Sequence, residues 1–448
     1  MLSSEIQFHE ISDVILKVSQ FCGKILKIFT QDVAMGIDRQ QKHLQLQFHP
    51  KTIYSRKTML HPLTNLEWVK SLDINVKPCN LSFYFKAIAI SGNCQLMEIR
   101  ILEGSLDFNE TEELGKIKTL KEFHGKLSNA LSLEHLCHLR YLKIGDSFDN
   151  RLPKQIVHIL DSIKEEITIR LRDKEVSYNI NTGHLILSNT DSNRFSSSSN
   201  DATDFAPLAT LKNLQTVHIF GSHMESSLQL FFSQLASRHC QDLQELVVGN
   251  KQIDPDLDML TISSSELKEI TSIKSLKKLK CGFSGAQNVE LIAGLPQLTE
   301  LIVSTHQEGS LKDLLRNINS MESPRLEYLV IEDGQLTDEE EVQVAAMRSL
   351  KRIKCCYNTT VVVDYQGQPT YILDMTVTKD RQDISLVEVF KNRPLLRSLI
   401  VKGSPINREE ADEIRNMKSL QRLFYRFAED PSIISDLVRL SPEMKLWS

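Results

Sequence analysis

Apolar side chains in this chain recur at two spacings. In LKNLQTVHIFGSHM, residues 211–224, Leu211, Leu214 and Val217 are three apart, whereas Val217 and Ile219 are two apart. Steps of three suit a turn arriving from a helix, and a step of two puts both side chains on one face of a strand. The stretch predicts a corner entering a very short strand.

The same order returns in LCHLRYLKI from Leu136, CQDLQELVV from Cys240, IKSLKKLKC from Ile273, LPQLTELIV from Leu295, SPRLEYLVI from Ser323, MRSLKRIKC from Met347, RPLLRSLIV from Arg393 and MKSLQRLFY from Met417. The first inward strand residues are Ile99, Phe123, Leu142, Ile167, Val217, Leu246, Leu279, Leu301, Leu329, Ile353, Leu399 and Leu423, with weaker copies at Ile28, Leu44, Leu72, Leu185, Ile372 and Leu446. From Leu246 to Ile353 the gaps are 33, 22, 28 and 24 residues, and Leu399 to Leu423 is again 24. A period of about 26 lies in the leucine-rich range. One such unit buries too few anchors to offset the entropy of ordering its backbone, so the copies must stack.

The expected fold is therefore α/β: a leucine-rich repeat solenoid shaped as a curved horseshoe. Parallel strands would line its concave face, with helices and irregular segments on the convex face. Residues 1–20 are expected to form an N-terminal capping helix and 21–448 the solenoid, with a flexible Ser/Asn-rich loop at 188–204 and no other domain boundary.

Several intervals carry helix-start signals. In QLTDEEEVQVAAMRSLKRI, Thr337 and Glu340 read as a capping box, and Glu339 to Glu341 place negative charge where the helix dipole favours it. In PINREEADEIRNMKSLQRL, Asn407 and Glu410 repeat the sense at an offset of 70. Two other intervals, ITIRLRDKEVSYNINTGHLILSN and KCCYNTTVVVDYQGQPTYILDMTV, alternate β-formers around turn residues. Each either projects a hairpin from the stack or replaces a convex-side helix.

With 41% apolar and 25% charged residues the chain is globular, and its formal charge of −5 argues against a general nucleic-acid or anionic-membrane surface. The start MLSSEIQFHEISDVILKV has no basic n-region, and no apolar run approaches the ~18 residues of a membrane span. A cytoplasmic or nuclear location is expected. The eight cysteines form no CxxC pair; Cys281 and Cys355 at inward strand positions, and Cys22 and Cys240 three residues before an anchor, read as small packing residues.

Motifs for catalysis are missing: there is no HExxH, P-loop or GxSxG. His135, Cys137 and His138 in HLCHL are close in sequence, but Leu136 and Leu139 turn them apart, and a zinc site needs converging ligands. The run Asp338 to Glu341 is accounted for by capping. No enzyme, cofactor or metal site is expected.

What remains is surface. The middle residue of each strand triplet projects from the sheet, giving Arg100, His124, Lys143, Thr168 and His218, then Val247, Lys280, Ile302, Val330, Lys354, Ile400 and Phe424. The first group is polar and basic. Val247, Ile302, Val330, Ile400 and Phe424, with Tyr328 beside Val330, form an interrupted apolar stripe and are the candidate partner-binding residues.

At FCGKILKIFTQD, Phe21 to Asp32, a cysteine-glycine pair precedes the first repeat strand, and irregular repeats follow, some with a cysteine before the anchor. This resembles the leucine-rich part of insect-type F-box proteins. The resemblance implies a non-catalytic scaffold that selects substrates for a ubiquitin ligase, partnered by a Skp-type adaptor and a cullin. The residues before Phe21 hold neither the Leu-Pro nor the tryptophan of an F-box. Either the docking module is lost or the start is truncated. An enzyme-clamping regulator and an architectural subunit of a larger assembly are the alternatives.

Overall fold

A computed structural model describes residues 4–7, 25–29, 33–48, 68–77, 80–91, 95–144, 155–171, 174–189, 203–221, 223–239, 241–249, 261–283, 286–333, 336–358, 361–368, 371–379, 385–387, 396–403, 405–418, 420–425 and 445–447. The chain divides into two compact units, Met1–Leu214 and Gln215–Ser448. Each is a stack of leucine-rich repeats, as the periodicity predicts.

The strands of the first unit are β1 Ser4–Gln7, β2 Ile25–Phe29, β3 Val33–Asp38, β4 His43–Phe48, β5 Ser71–Val76, β6 Glu98–Leu106, β7 Glu122–Leu127, β8 Tyr141–Ile144, β9 Glu166–Arg170, β10 Lys174–Asn179 and β11 His184–Asn189. From β4 to β9 neighbours are parallel, and Leu44, Leu72, Ile99, Phe123, Leu142 and Ile169 stand in one buried row.

The second unit holds β12 Thr216–Phe220, β13 Glu245–Gly249, β14 Lys278–Cys281, β15 Glu300–Val303, β16 Tyr328–Ile331, β17 Arg352–Asn358, β18 Val361–Gln368, β19 Tyr371–Lys379, β20 Ser398–Gly403, β21 Arg422–Tyr425 and β22 Lys445–Trp447. Val217, Leu246, Leu279, Leu301, Leu329 and Ile353 pair in sequence as its buried row.

The change of period has a direct cause. Amides three residues on donate to the carbonyls of Leu136, Ile273, Leu295 and Met417, closing tight turns in which side chains at i and i+3 eclipse. The strand then begins and the period drops to two. Repeats are tied together just before each strand: the carbonyl of Gln215 accepts from Gln244 and Glu245, that of Gln244 from Lys277 and Lys278, and that of Lys277 from Thr299 and Glu300.

The two β-rich intervals neither project from the stack nor replace a helix. Strands β9, β10 and β11 form an antiparallel meander within the sheet, and so do β17, β18 and β19. A third meander, β2 to β4, opens the first unit. Two reversals restore the chain direction, so β4 pairs in parallel with β5 and β19 with β20. Gly183, at φ +62°, supplies the left-handed turn residue between β10 and β11.

Other expectations need correction. Ser4–Gln7, within the supposed capping helix, is a strand parallel to Ile25–Phe29. Ser188 and Asn189, at the supposed start of the flexible loop, pair with Glu175 and Lys174; residues 190–202 lie outside the described residues, as do Cys22 and Cys240. Cys281 is fully buried, and burial pushes its thiol pKa well up, whereas Cys355 is half-buried. Met375, not Ile372, stands opposite Leu399 in the buried row.

Helices cover the other side of each stack, and their starts share one device. Four N-cap residues, Asp107, Ser263, Thr337 and Asn407, each complete a capping box with a glutamate three residues on. Glu110, Glu266, Glu340 and Glu410 are all completely buried. One carboxylate oxygen accepts from the amide of its own N-cap residue, at 2.7 to 2.9 Å. The other oxygen accepts from an amide in the preceding repeat: Leu81 at 2.6 Å, Leu228 at 2.9 Å, Leu311 at 2.8 Å and Leu386 at 2.8 Å. Leu81, Leu228 and Leu311 directly precede the helices Ser82–Ser91, Gln229–His239 and Lys312–Ser320. A leucine has no side-chain oxygen to cap with, so the next repeat's glutamate does it.

Candidate interaction faces

Strand pairing decides which outward side chains adjoin. In the second unit His218, Val247, Lys280, Ile302, Val330 and Lys354 form one continuous row. Val247 is only 8% exposed, so it adds little to an accessible patch; Ile302 and Val330 are half-buried, and Tyr328 is 40% exposed.

The row does not pass directly to Ile400. Its register runs from Lys354 to Asp364, Thr376, Ile400, Phe424 and Trp447. Four strand steps of about 4.8 Å put roughly 19 Å between the Val330 and Ile400 positions. The expected stripe is thus two patches, one around Ile302, Val330 and Tyr328 and one around Ile400 and Phe424.

Beside the first patch runs a ladder of opposite charges. His218 Nε2 is 3.2 Å from Glu245 Oε1, and Lys278 Nζ lies 3.2 Å from Glu245 and 3.7 Å from Glu300. Burial raises the Glu245 pKa, but the His218 and Lys278 contacts outweigh it and the net shift is downward. Lys280 ends 2.7 Å from Glu332 Oε1, so this cation within the apolar row is neutralised.

The face of the first unit is polar. Its middle row is Asp73, Arg100, His124, Lys143 and Arg170. Thr168, expected in that row, pairs instead with Tyr141, and Arg170 takes its place beside Lys143. The adjoining row is His43, Ser71, Glu98, Glu122 and Tyr141. A network joins the two: Ser71 Oγ donates to Glu98 Oε2 at 3.3 Å, and Arg100 Nε donates to Glu98 Oε1 at 2.5 Å.

Two constellations here escaped sequence reading because their members sit on different repeats. His43 Nδ1 is 3.1 Å from Ser71 Oγ, and His43 Nε2 is 3.7 Å from Asp73 Oδ2. This has the members of a nucleophilic triad but not the geometry for acyl transfer. The histidine–aspartate distance is too long for a hydrogen bond, and the amides of these strands are engaged in the parallel ladder rather than free to act as oxyanion donors.

The other constellation is Glu98, Glu122 and His124, whose ligand atoms lie within 4.8 Å of one another. His124 Nε2 is 3.6 Å from Glu98 and 3.8 Å from Glu122, with no hydrogen-bond partner. Burial lowers the His124 pKa. The Arg100 guanidinium already holds Glu98, which fits an ion-pair network better than a cation centre. The HLCHL side chains do not join such a cluster: His135 stacks edge-on against Phe108 at 4.7 Å, and burial lowers the His138 pKa.

No protein-family model matches the chain, and no curated protein matches it. Among solved structures, an internalin, InlF, from Listeria monocytogenes is 14% identical, covers 97% of this chain and 93% of its own, and superposes with a TM-score of 0.31. The Drosophila Toll–Spatzle complex is 10% identical, with 97% and 59% covered and a TM-score of 0.39. The TLR13–ssRNA13 complex is 16% identical, with 82% and 59% covered and a TM-score of 0.37. The repeat assignment stands on the strand register above. Among the described residues, no helix is long and apolar enough to cross a membrane.

Proposed function

We propose that this chain is a non-catalytic protein-binding scaffold that engages its partner through the outward faces of its strands. The observation that carries the reading is the patch of Tyr328, Ile302 and Val330 beside the Glu245–Lys278–Glu300 ladder. An apolar centre with a charged rim is the anatomy of a partner interface, and tyrosine is a favoured anchor. Ile400 and Phe424 would be a second contact, reached only by a partner able to span roughly 19 Å.

The finer reading, a substrate receptor of a ubiquitin ligase in the cytoplasm or nucleus, draws support from the resemblance at Phe21 to Asp32. Affinity purification with mass spectrometry tests it: a stoichiometric Skp-type adaptor and cullin support it, and a different stoichiometric partner rejects it. Tyr328→Asp with Phe424→Asp should abolish capture of whichever partner is found, with circular dichroism unchanged. Full retention of capture removes these residues from the interface.

A further inference from the structure

The first unit carries a recess that its leucine pattern does not require. Strand β6 stays in register with β5 as far as Glu103, which lies opposite Val76. Against β7, however, Arg100 pairs with His124 and the next pair is Ser105 with Lys126. Four residues of β6, Ile101 to Gly104, therefore face Gly125 alone. Gly104, at φ +93°, makes the bend, and a β-carbon there would lie 2.7 Å from Lys77 Cβ.

The ladder opens at this bulge into a cavity of about 440 Å³, lined by Arg100, Leu102, His124, Lys126 and Lys143 among others. That volume is within the range of sites that take small ligands or side chains. Leu102 shares the outward face of β6 with Arg100 and is 61% exposed. The cations of the lining have no acid among them. Arg100 is held by Glu98. Among the described residues no carboxylate lies within ion-pair distance of Lys126 or Lys143.

We propose that this recess receives a carboxylate side chain from an extended segment of a protein partner, with Lys126 and Lys143 as its counter-charges and Leu102 against the neighbouring apolar side chain. The choice of a protein segment over a nucleic acid follows from the adjoining row. Glu98 and Glu122 lie one step along the strands from Arg100 and His124 and would repel a continuous polyanion. A peptide can place acids over the lysines and neutral or basic groups over the glutamates. The inference deepens the scaffold reading and rests on it.

The test is fluorescence anisotropy on the full chain, with a labelled Gly-Glu-Gly-Glu-Gly-Glu-Gly peptide, its Lys-for-Glu counterpart and a labelled oligouridylate. The Glu peptide should bind and weaken with added salt. It should bind about tenfold or more weakly to Lys126→Glu with Lys143→Glu. Binding should persist in Lys126→Arg with Lys143→Arg.

No binding of the Glu peptide, equal binding to the charge-reversed chain, or an oligouridylate that binds as tightly and is lost with the same lysines would each overturn the proposal. Partner capture separates the two readings. Capture lost with Tyr328→Asp and Phe424→Asp but kept in the charge-reversed chain overturns the recess and leaves the scaffold standing. Capture kept in both variants removes the Tyr328–Phe424 face and the recess alike from the interface, whereas a full chain that captures no protein overturns the scaffold reading itself.

Discussion

Removing the carboxylate of Glu340 should loosen two repeats at once. Its Oε1 accepts from Leu311 at 2.8 Å and its Oε2 from Thr337 at 2.8 Å, in a fully buried site. Glu340→Ala removes the acceptor from both amides, that of buried Leu311 and that of half-buried Thr337. Each unsatisfied buried group costs about 1 to 3 kcal/mol, giving roughly 2 to 6 kcal/mol for the pair, and the upper end applies only if water fails to reach Thr337. Glu340→Gln keeps the shape but presents one oxygen, so one amide meets an NH₂ group and the cost should be about 1 to 3 kcal/mol.

Stability in a stacked array is a sum of repeat and nearest-neighbour terms, so the damage should be local. Hydrogen exchange followed by mass spectrometry resolves this. Peptides covering the helix starts at Leu311 and Thr337 should lose protection in the alanine variant, and less in the glutamine variant. Peptides from the first unit should not change. Unaltered exchange at both starts, with a urea midpoint like that of the parent, would refute cross-repeat capping as a source of stability.

Two more predictions follow from burial. His124, His138 and His223 all have pKa values lowered by burial. A histidine held neutral in the fold contributes stability that is complete above its ordinary value of about 6.5 and drains away as pH falls below it. Urea midpoints should be flat from about pH 7 to about pH 8 and fall toward pH 5, and replacing His223 with Gln should flatten that fall; an unchanged slope argues against the burial effect. Cys281, fully buried with its thiol pKa raised, should resist alkylation by iodoacetamide in the folded chain and react once urea is added. Labelling of native Cys281 at the denatured rate would contradict its placement.

Much of the architecture was legible along the chain. A three-residue step ending in a two-residue step marks a turn feeding a strand, because those spacings are the geometries of the two backbones. Inward residues such as Leu246, Leu279, Leu301 and Leu329 follow from it directly. Two of the four capping boxes were read the same way, from Thr337 with Glu340 and Asn407 with Glu410. The signal for Asp107 with Glu110 and Ser263 with Glu266 was equally present at the same offset.

Only the tertiary structure settles what crosses from one repeat to the next. A side-chain period of two cannot distinguish registers that differ by two residues, since both leave the same faces inward and outward. That is how Leu142 comes to pair with Ile169 rather than Ile167, and Arg170 to displace Thr168. For the same reason the pattern could not show that a meander splits the apolar stripe, or that the second oxygen of each buried glutamate reaches back to an earlier leucine. It also could not reveal the four residues of β6 left opposite one glycine. Local sequence specifies the layers, because packing faces are set by backbone period; pairing between distant residues specifies the surface, because the ladder alone decides which outward side chains become neighbours.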